Sequence, residues 1–238
     1  MAEQYIVDGG KTSTGIELYE NDSMYVYGDG KAIETVINSS GVMYVSNGGS
    51  ACKTEINYYG VMHVSNGGKA IETEVNFSGT VNVSEGGAAS LTTLNQSGVM
   101  YVSNGGSATE TTVKYDGRLR VLDGGVASIT TISSGGYLTL SGGGVAINTT
   151  LNRGGVIFAK SDGILDGTTV NDGGQLQISG GALASNTTVS SGGTLWVSGG
   201  KLSGKTRFAE GMNAIVYKGS IIDFDLTQPF AGDRKSVV

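Results

Sequence analysis

Along most of this chain apolar and polar residues alternate in short runs, and the runs return every nineteen residues. The segment SGVMYVSNGGSA appears twice, letter for letter, at Ser40–Ala51 and Ser97–Ala108, three periods apart. One apolar column runs Val7, Val26, Val45, Val64, Val83, Val102, Val121, Leu140, Ala159, Ile178, Val197 and Val216. Two residues ahead of it run Met24, Met43, Met62, Val81, Met100, Leu119, Leu138, Ile157, Leu176 and Leu195. Apolar positions of equal parity mark one face of a β-strand, with the residues between them facing out. A second strand follows in each unit, with an inward column at Leu18, Ile37, Ile56, Val75, Leu94, Val113, Ile132, Leu151, Val170, Val189 and Phe208.

Glycine recurs on the same period at two places. One column begins at Gly41, Gly60 and Gly79; the other begins at Gly49, Gly68 and Gly87 and slips by one at Gly181 and Gly200. Glycine at fixed points supplies positive φ or close backbone approach, so the chain corners there in every unit. Columns that keep their character at a fixed period imply stacked rungs, residue i lying over residue i+19. The expected fold is all-β: a right-handed parallel β-helix, or solenoid, of about twelve 19-residue rungs, each with two short strands. Its hand follows from the chirality of parallel crossovers. Twelve rungs at roughly 4.8 Å give a rod on the order of 55 Å long. The Asn38, Asn57, Asn76, Asn95, Asn152 and Asn171 column reads as a turn ladder of amides that bond between rungs and tolerate left-handed backbone.

The period frays at both ends. Asp22 stands where the first corner glycine is due, and Met212 replaces a later one. Residues 1–211 are therefore expected to form the β-helix. Residues 212–238, with IIDFDLTQPFAG and the only proline, Pro229, are expected to form a cap or a junction to a further region.

Composition narrows the chemistry. Forty-one glycines without a G-X-Y triplet exclude collagen, and 15% charged residues is too few for charge-driven disorder. A net charge of -6 makes nucleic acid a poor partner. One cysteine, Cys52, excludes an internal disulfide and a Cys-based zinc site, and a single histidine, His63, leaves few routes to acid–base catalysis. No cofactor is expected. No stretch reaches the length of a transmembrane helix, and MAEQ has neither the basic nor the apolar region of a signal peptide. The chain is expected to be a segment of a longer protein.

These columns resemble the nineteen-residue passenger repeats of AIDA-type autotransporter adhesins and the related self-associating autotransporter antigens of Gram-negative bacteria. Their unit reads SGG-x-x-x-V-S-x-GG-x-A-x-x-TT-V-N, and Ser190–Gly200 (SSGGTLWVSGG) and Ala184–Gly193 (ASNTTVSSGG) are close forms of it. The likeness spans roughly Gly28–Gly204. It implies a non-enzymatic, extracellular protein of the bacterial cell surface, exported through an outer-membrane β-barrel. Its implied partners are host-cell surfaces or glycans, or further copies of itself, and a glycosyltransferase that adds heptose to Ser/Thr.

Three sets of side chains are candidates for function. An outward column carries Tyr25, Tyr44, His63, Tyr101, Phe158 and Trp196, able to contact a partner or to steady the sheet by cross-rung packing. A ladder of Thr93, Thr112, Thr131, Thr150, Thr169 and Thr188 offers hydroxyls for glycosylation, or reflects plain β-propensity. Glu34, Glu72 and Glu110 share one outward column, with Lys53 between the first two, and Glu55 and Glu74 share the next. The Glu55/Glu72/Glu74 group is the basis of an alternative reading, a polysaccharide lyase or hydrolase on a β-helix. A solvated surface accounts for it more simply, since Lys53 alternates with the carboxylates and no basic or histidine partner gathers there.

Overall fold

The computed structural model describes residues 2–223. Within them the chain forms 35 strands of two to five residues, arranged as three parallel sheets of 12, 12 and 11 strands. The first sheet runs from Gln4–Val7 to Asn213–Val216, the second from Thr12–Thr14 to Ile221–Ile222, and the third from Glu17–Leu18 to Arg207–Phe208. Each rung adds one strand to each sheet. Pairing is in register at nineteen residues: Val61 lies over Val42, Met62 over Met43, His63 over Tyr44 and Val64 over Val45. The expected β-solenoid of about twelve rungs is present. Each rung has three strands and three bends, however, where the glycine pattern implied two strands.

The core sits inside the stack. Met24, Met43, Met62 and Met100 are fully buried, as are Val26, Val45, Val64 and Val102 beside them. Removing each such side chain from water contributes about 1.5–3 kcal/mol, and one rung alone cannot bury them, so neighbouring rungs stabilise each other. A fourth inward column holds Thr35, Thr54, Thr73, Thr92, Thr111, Thr130, Thr149, Thr168 and Thr187, all buried with no hydrogen-bond partner for the hydroxyl. Threonine contributes a stiff β-branched shape there, and the hydroxyl adds no bond.

The first bend joins the first sheet to the second. Asn47 and Gly48 take φ of 47° and 84°, and the Gly49 amide donates to the Ser46 carbonyl at 2.8 Å. Two successive left-handed residues define a type I′ turn, which Asn-Gly favours. The glycine of the repeating column is not the left-handed one. A Cβ on Gly49 would lie 2.2 Å from the carbonyl oxygen of Val26 in the rung beneath, so close approach is what demands glycine.

The third bend, from the third sheet back to the first, repeats this geometry with other residues. Tyr58 and Tyr59 take φ of 46° and 68°, and the Gly60 amide donates to the Asn57 carbonyl at 2.8 Å. The asparagine ladder borders this bend. Asn76 Nδ2 donates to Asn57 Oδ1 at 3.3 Å, Asn95 to Asn76 at 3.2 Å, and Asn171 to Asn152 at 2.9 Å. The amides do bond between rungs, but the left-handed backbone falls after each asparagine: on the next two residues after Asn38, Asn57, Asn76 and Asn95, and on the second, Gly154 or Gly173, after Asn152 and Asn171.

The second bend, between the second and third sheets, turns on one left-handed residue. Glu34, Lys53, Glu72, Leu91, Glu110, Ile129, Asn148, Gly167 and Asn186 fill it in successive rungs. Glu34, Glu72 and Glu110, expected on a strand face, are therefore corner residues.

The period absorbs its irregularities locally. Buried Ala182 stands where the glycine column is due after Gly163, and Gly181 is one of the left-handed pair before it. The shortening comes one rung later: Ala184 pairs with Leu202 and then Leu202 with Ile222, spacings of 18 and 20 residues. Asp22, in place of the first glycine, accepts from the Tyr19 amide at 3.0 Å and the Glu3 amide at 2.8 Å. Those two donors hold its carboxyl below the usual carboxylate range. The sheets do not stop at the expected boundary of residue 211, because Asn213–Val216 and Ile221–Ile222 still pair with the rung before them. Pro229 and most of the expected terminal strand lie outside the described residues.

Candidate functional site

The outward column of the first sheet is not uniform along the rod. Tyr25, Tyr44 and His63 form one continuous stack, with ring centroids 5.0 and 5.1 Å apart and planes within 10°. Parallel in-register pairing produces it, since each ring sits one rung above the last. Burial against Tyr44 and the sheet pushes the His63 imidazole below its ordinary pKa, because desolvation disfavours the charged ring. Tyr101 is separated from this stack by Asn82, and Arg120 lies over its ring at 5.5 Å. Phe158 lies between Thr139 and Gln177, and Trp196 between Gln177 and Ile215. The six aromatic candidates are thus one cluster of three and three separate rings.

A second aromatic ridge lies at the third bend. Tyr58, Tyr59, Phe77 and Tyr115 are exposed, and the Tyr58 and Phe77 rings stack at 4.9 Å with planes 3° apart. Lys114 lies over the Tyr115 ring at 5.5 Å. The sequence signal for this ridge was an aromatic residue between the asparagine column and the corner glycine, as in NYYG and NFSG. Bulky residues are rare in left-handed backbone, so the pattern does not read as a turn.

The threonine ladder occupies the third sheet. Thr93, Thr112, Thr131, Thr150, Thr169 and Thr188 pair in register over six rungs, each half-buried on the outer face. Strands there are two residues long, so each rung presents one outward side chain. The hydroxyls form a single file about 4.8 Å apart, open to an enzyme from one side.

The carboxylates gather in a shallow groove of about 330 Å³ lined by Lys53, Glu55, Glu72, Glu74, Leu91 and Thr93. Glu55 pairs in register with Glu74 and accepts from Asn57 Nδ2 at 2.9 Å. Glu55, Glu72 and Glu74 are all exposed. A glycosidase acid needs a carboxyl desolvated in an apolar setting, whereas these three side chains stand in solvent. Among the described residues no group of three or more His, Cys, Asp or Glu side chains is placed to hold a metal ion. Cys52 is a half-buried free thiol between Ile33 and Ile71.

The chain is a long parallel β-solenoid that displays its outward side chains in ladders on three faces. Residues 116–174 match the family described as "Adhesin of bacterial autotransporter system, probable stalk". Among solved structures the chain is similar to one described as "Crystal structure of TibC-catalyzed hyper-glycosylated TibA55-350 fragment". The two share 32% identity over 97% of this chain and 94% of that one, with a TM-score of 0.74. No curated protein matches the chain. The chain belongs to the AIDA-type autotransporter adhesins and is the β-solenoid passenger part of such an adhesin.

Proposed function

We propose that this passenger stands outside the bacterial outer membrane as a stalk whose flat faces bind host-surface glycans or further copies of itself. Many weak polar contacts along such faces sum to a stable attachment without one strong site. A glycosyltransferase modifies its hydroxyls, with the six-threonine ladder of the third sheet as the acceptor row. The observation that carries this reading is the likeness, over 97% of the chain, to a glycosylated fragment, joined to an unbroken outward file of threonines in this chain.

The test is to produce the chain with and without a TibC-type glycosyltransferase, weigh the intact protein and map the modified residues. Added sugar masses on Thr112, Thr131 and Thr150 are expected, reduced when all three become valine. Cells displaying the chain should aggregate or adhere more than bare cells. Unmodified mass together with unchanged aggregation and adhesion overturns the reading.

A further inference from the structure

Charge is unevenly divided along this acidic sequence. Residues 1–113 carry 12 acidic and 4 basic side chains, and residues 114–238 carry 9 and 11. The change begins at one rung, where Lys114, Arg118 and Arg120 fall within seven residues. Arg118 and Arg120 are the two outward positions of the strand Arg118–Val121, and both are exposed. One residue of strand, the buried Leu119, separates them, so their Cα atoms lie about 7 Å apart across the rod. Among the described residues the ion pairs are Lys11–Asp8 and Lys201–Asp223, so Asp116 and Asp123, the nearest acids in sequence, neutralise neither arginine.

Tyrosines frame these cations. Tyr101 lies directly beneath Arg120, whose guanidinium sits over its ring at 5.5 Å. Tyr137 lies directly above Arg118. At the adjoining third bend Lys114 covers the exposed Tyr115 ring at 5.5 Å. The outer grid of three rungs therefore reads Val99 and Tyr101, then Arg118 and Arg120, then Tyr137 and Thr139. An arginine resting on an aromatic face is partly ordered and keeps its N–H edge free for a planar or tetrahedral oxyanion.

We propose that this Tyr–Arg grid on the first sheet is a binding site for an anionic polysaccharide, a chain bearing carboxylate or sulfate groups. The two guanidinium groups bind acidic groups through charge-assisted hydrogen bonds, and the tyrosine rings carry the C–H faces of the sugars between them. The proposal rests on the reading of the chain as a surface adhesin and names the chemical class that one of its faces takes. An acidic protein surface, such as the N-terminal half of a second copy, meets the charges equally well. It leaves the tyrosines that alternate with them without a role, which favours a glycan.

The experiment titrates the purified chain with a sulfated uronate oligosaccharide and with a neutral oligosaccharide of equal length, at low and at physiological salt. The variants are Arg118→Gln/Arg120→Gln and, as a control of equal charge change, Lys31→Gln/Lys69→Gln on the second sheet. Unfolding curves for each verify the fold. Loss of two charge-assisted contacts should weaken binding of the acidic chain by about tenfold or more, with the control within about twofold and the wild-type affinity falling as salt rises. Equal losses in both variants, no loss in the arginine variant, or no preference for the acidic chain would overturn the site. Flat glycan titrations with self-association abolished by Arg118→Gln/Arg120→Gln in sedimentation would assign the grid to a second copy and overturn it too. Displayed cells separate this from the parent reading. If the arginine variant binds the acidic chain as wild type does while wild-type cells still adhere and aggregate, only the site fails; if wild type promotes neither, the adhesin reading fails.

Discussion

At the bends on either side of the first sheet, one or two left-handed residues precede a residue, in most rungs glycine, that rests against the rung beneath. At the bend between the second and third sheets a single left-handed residue turns the chain and no glycine follows. Gly68 shows the first arrangement, its Cβ position 2.2 Å from the Val45 carbonyl oxygen. Ile129 shows the second, with φ of 53° and its side chain in solvent. The difference separates two roles of glycine that a sequence pattern merges. The repeating glycines answer to contact between rungs, whereas the sign of φ is met by whichever residue the turn happens to hold.

Mutations at the two kinds of bend should therefore act in opposite directions. Gly68→Ala forces a Cβ into backbone with no flexible side chain to yield, and stability should fall by about 3 kcal/mol or more. Denaturant unfolding checks the loss, and amide exchange should place it in the rungs around Val45 and Val64. An unchanged unfolding midpoint would show that the stack can open at this point. Ala182 marks the kind of exception to expect, since there the strand before the bend, Gln175–Ser179, runs one residue longer than in the repeats before it.

Ile129→Gly should be stabilising. A β-branched residue in left-handed backbone costs roughly 1–2 kcal/mol, of which glycine returns about 0.5–1 once its looser unfolded state is counted. The column already holds Gly167 one corner above Asn148. A loss of stability in thermal unfolding would mean that the exposed isoleucine packs against its neighbours.

The smallest effect belongs to the aromatic stack. His63 has its folded pKa below the unfolded value of 6.5 through burial. The unfolded chain therefore binds more protons in the window beneath 6.5, and stability is complete above that pH and declines as pH drops through the window. The melting temperature should slip between pH 7.5 and pH 5.5. His63→Asn, the residue that follows it in the column as Asn82, should remove that slope. An equal slope in the variant would trace the pH dependence elsewhere.

Much of the core was legible in the sequence. In-register stacking maps sequence columns onto spatial ladders, so Met43, Val45 and Ile56 could be assigned inward without coordinates, and each is buried. The aromatic ladder and the threonine ladder were legible for the same reason. The second bend was not, because Glu34, Lys53, Glu72, Leu91, Glu110 and Ile129 are not turn formers, and only Gly15, Asn148, Gly167, Asn186 and Gly204 in the column hint at positive φ. Tyr58, Tyr59 and Phe77 escaped notice likewise, since the turn that exposes them carries its glycine one position later.

By itself, then, the sequence determined the rung length, the parallel stack, the inward columns and the family, because these are properties of repetition and repetition is written in the chain. Only the tertiary structure decided that each rung has three sides, that glycine is required by backbone contact, and which outward residues meet. Those depend on distances between rungs, and a distance of 2.2 Å or 5.5 Å exists only once one rung lies on another.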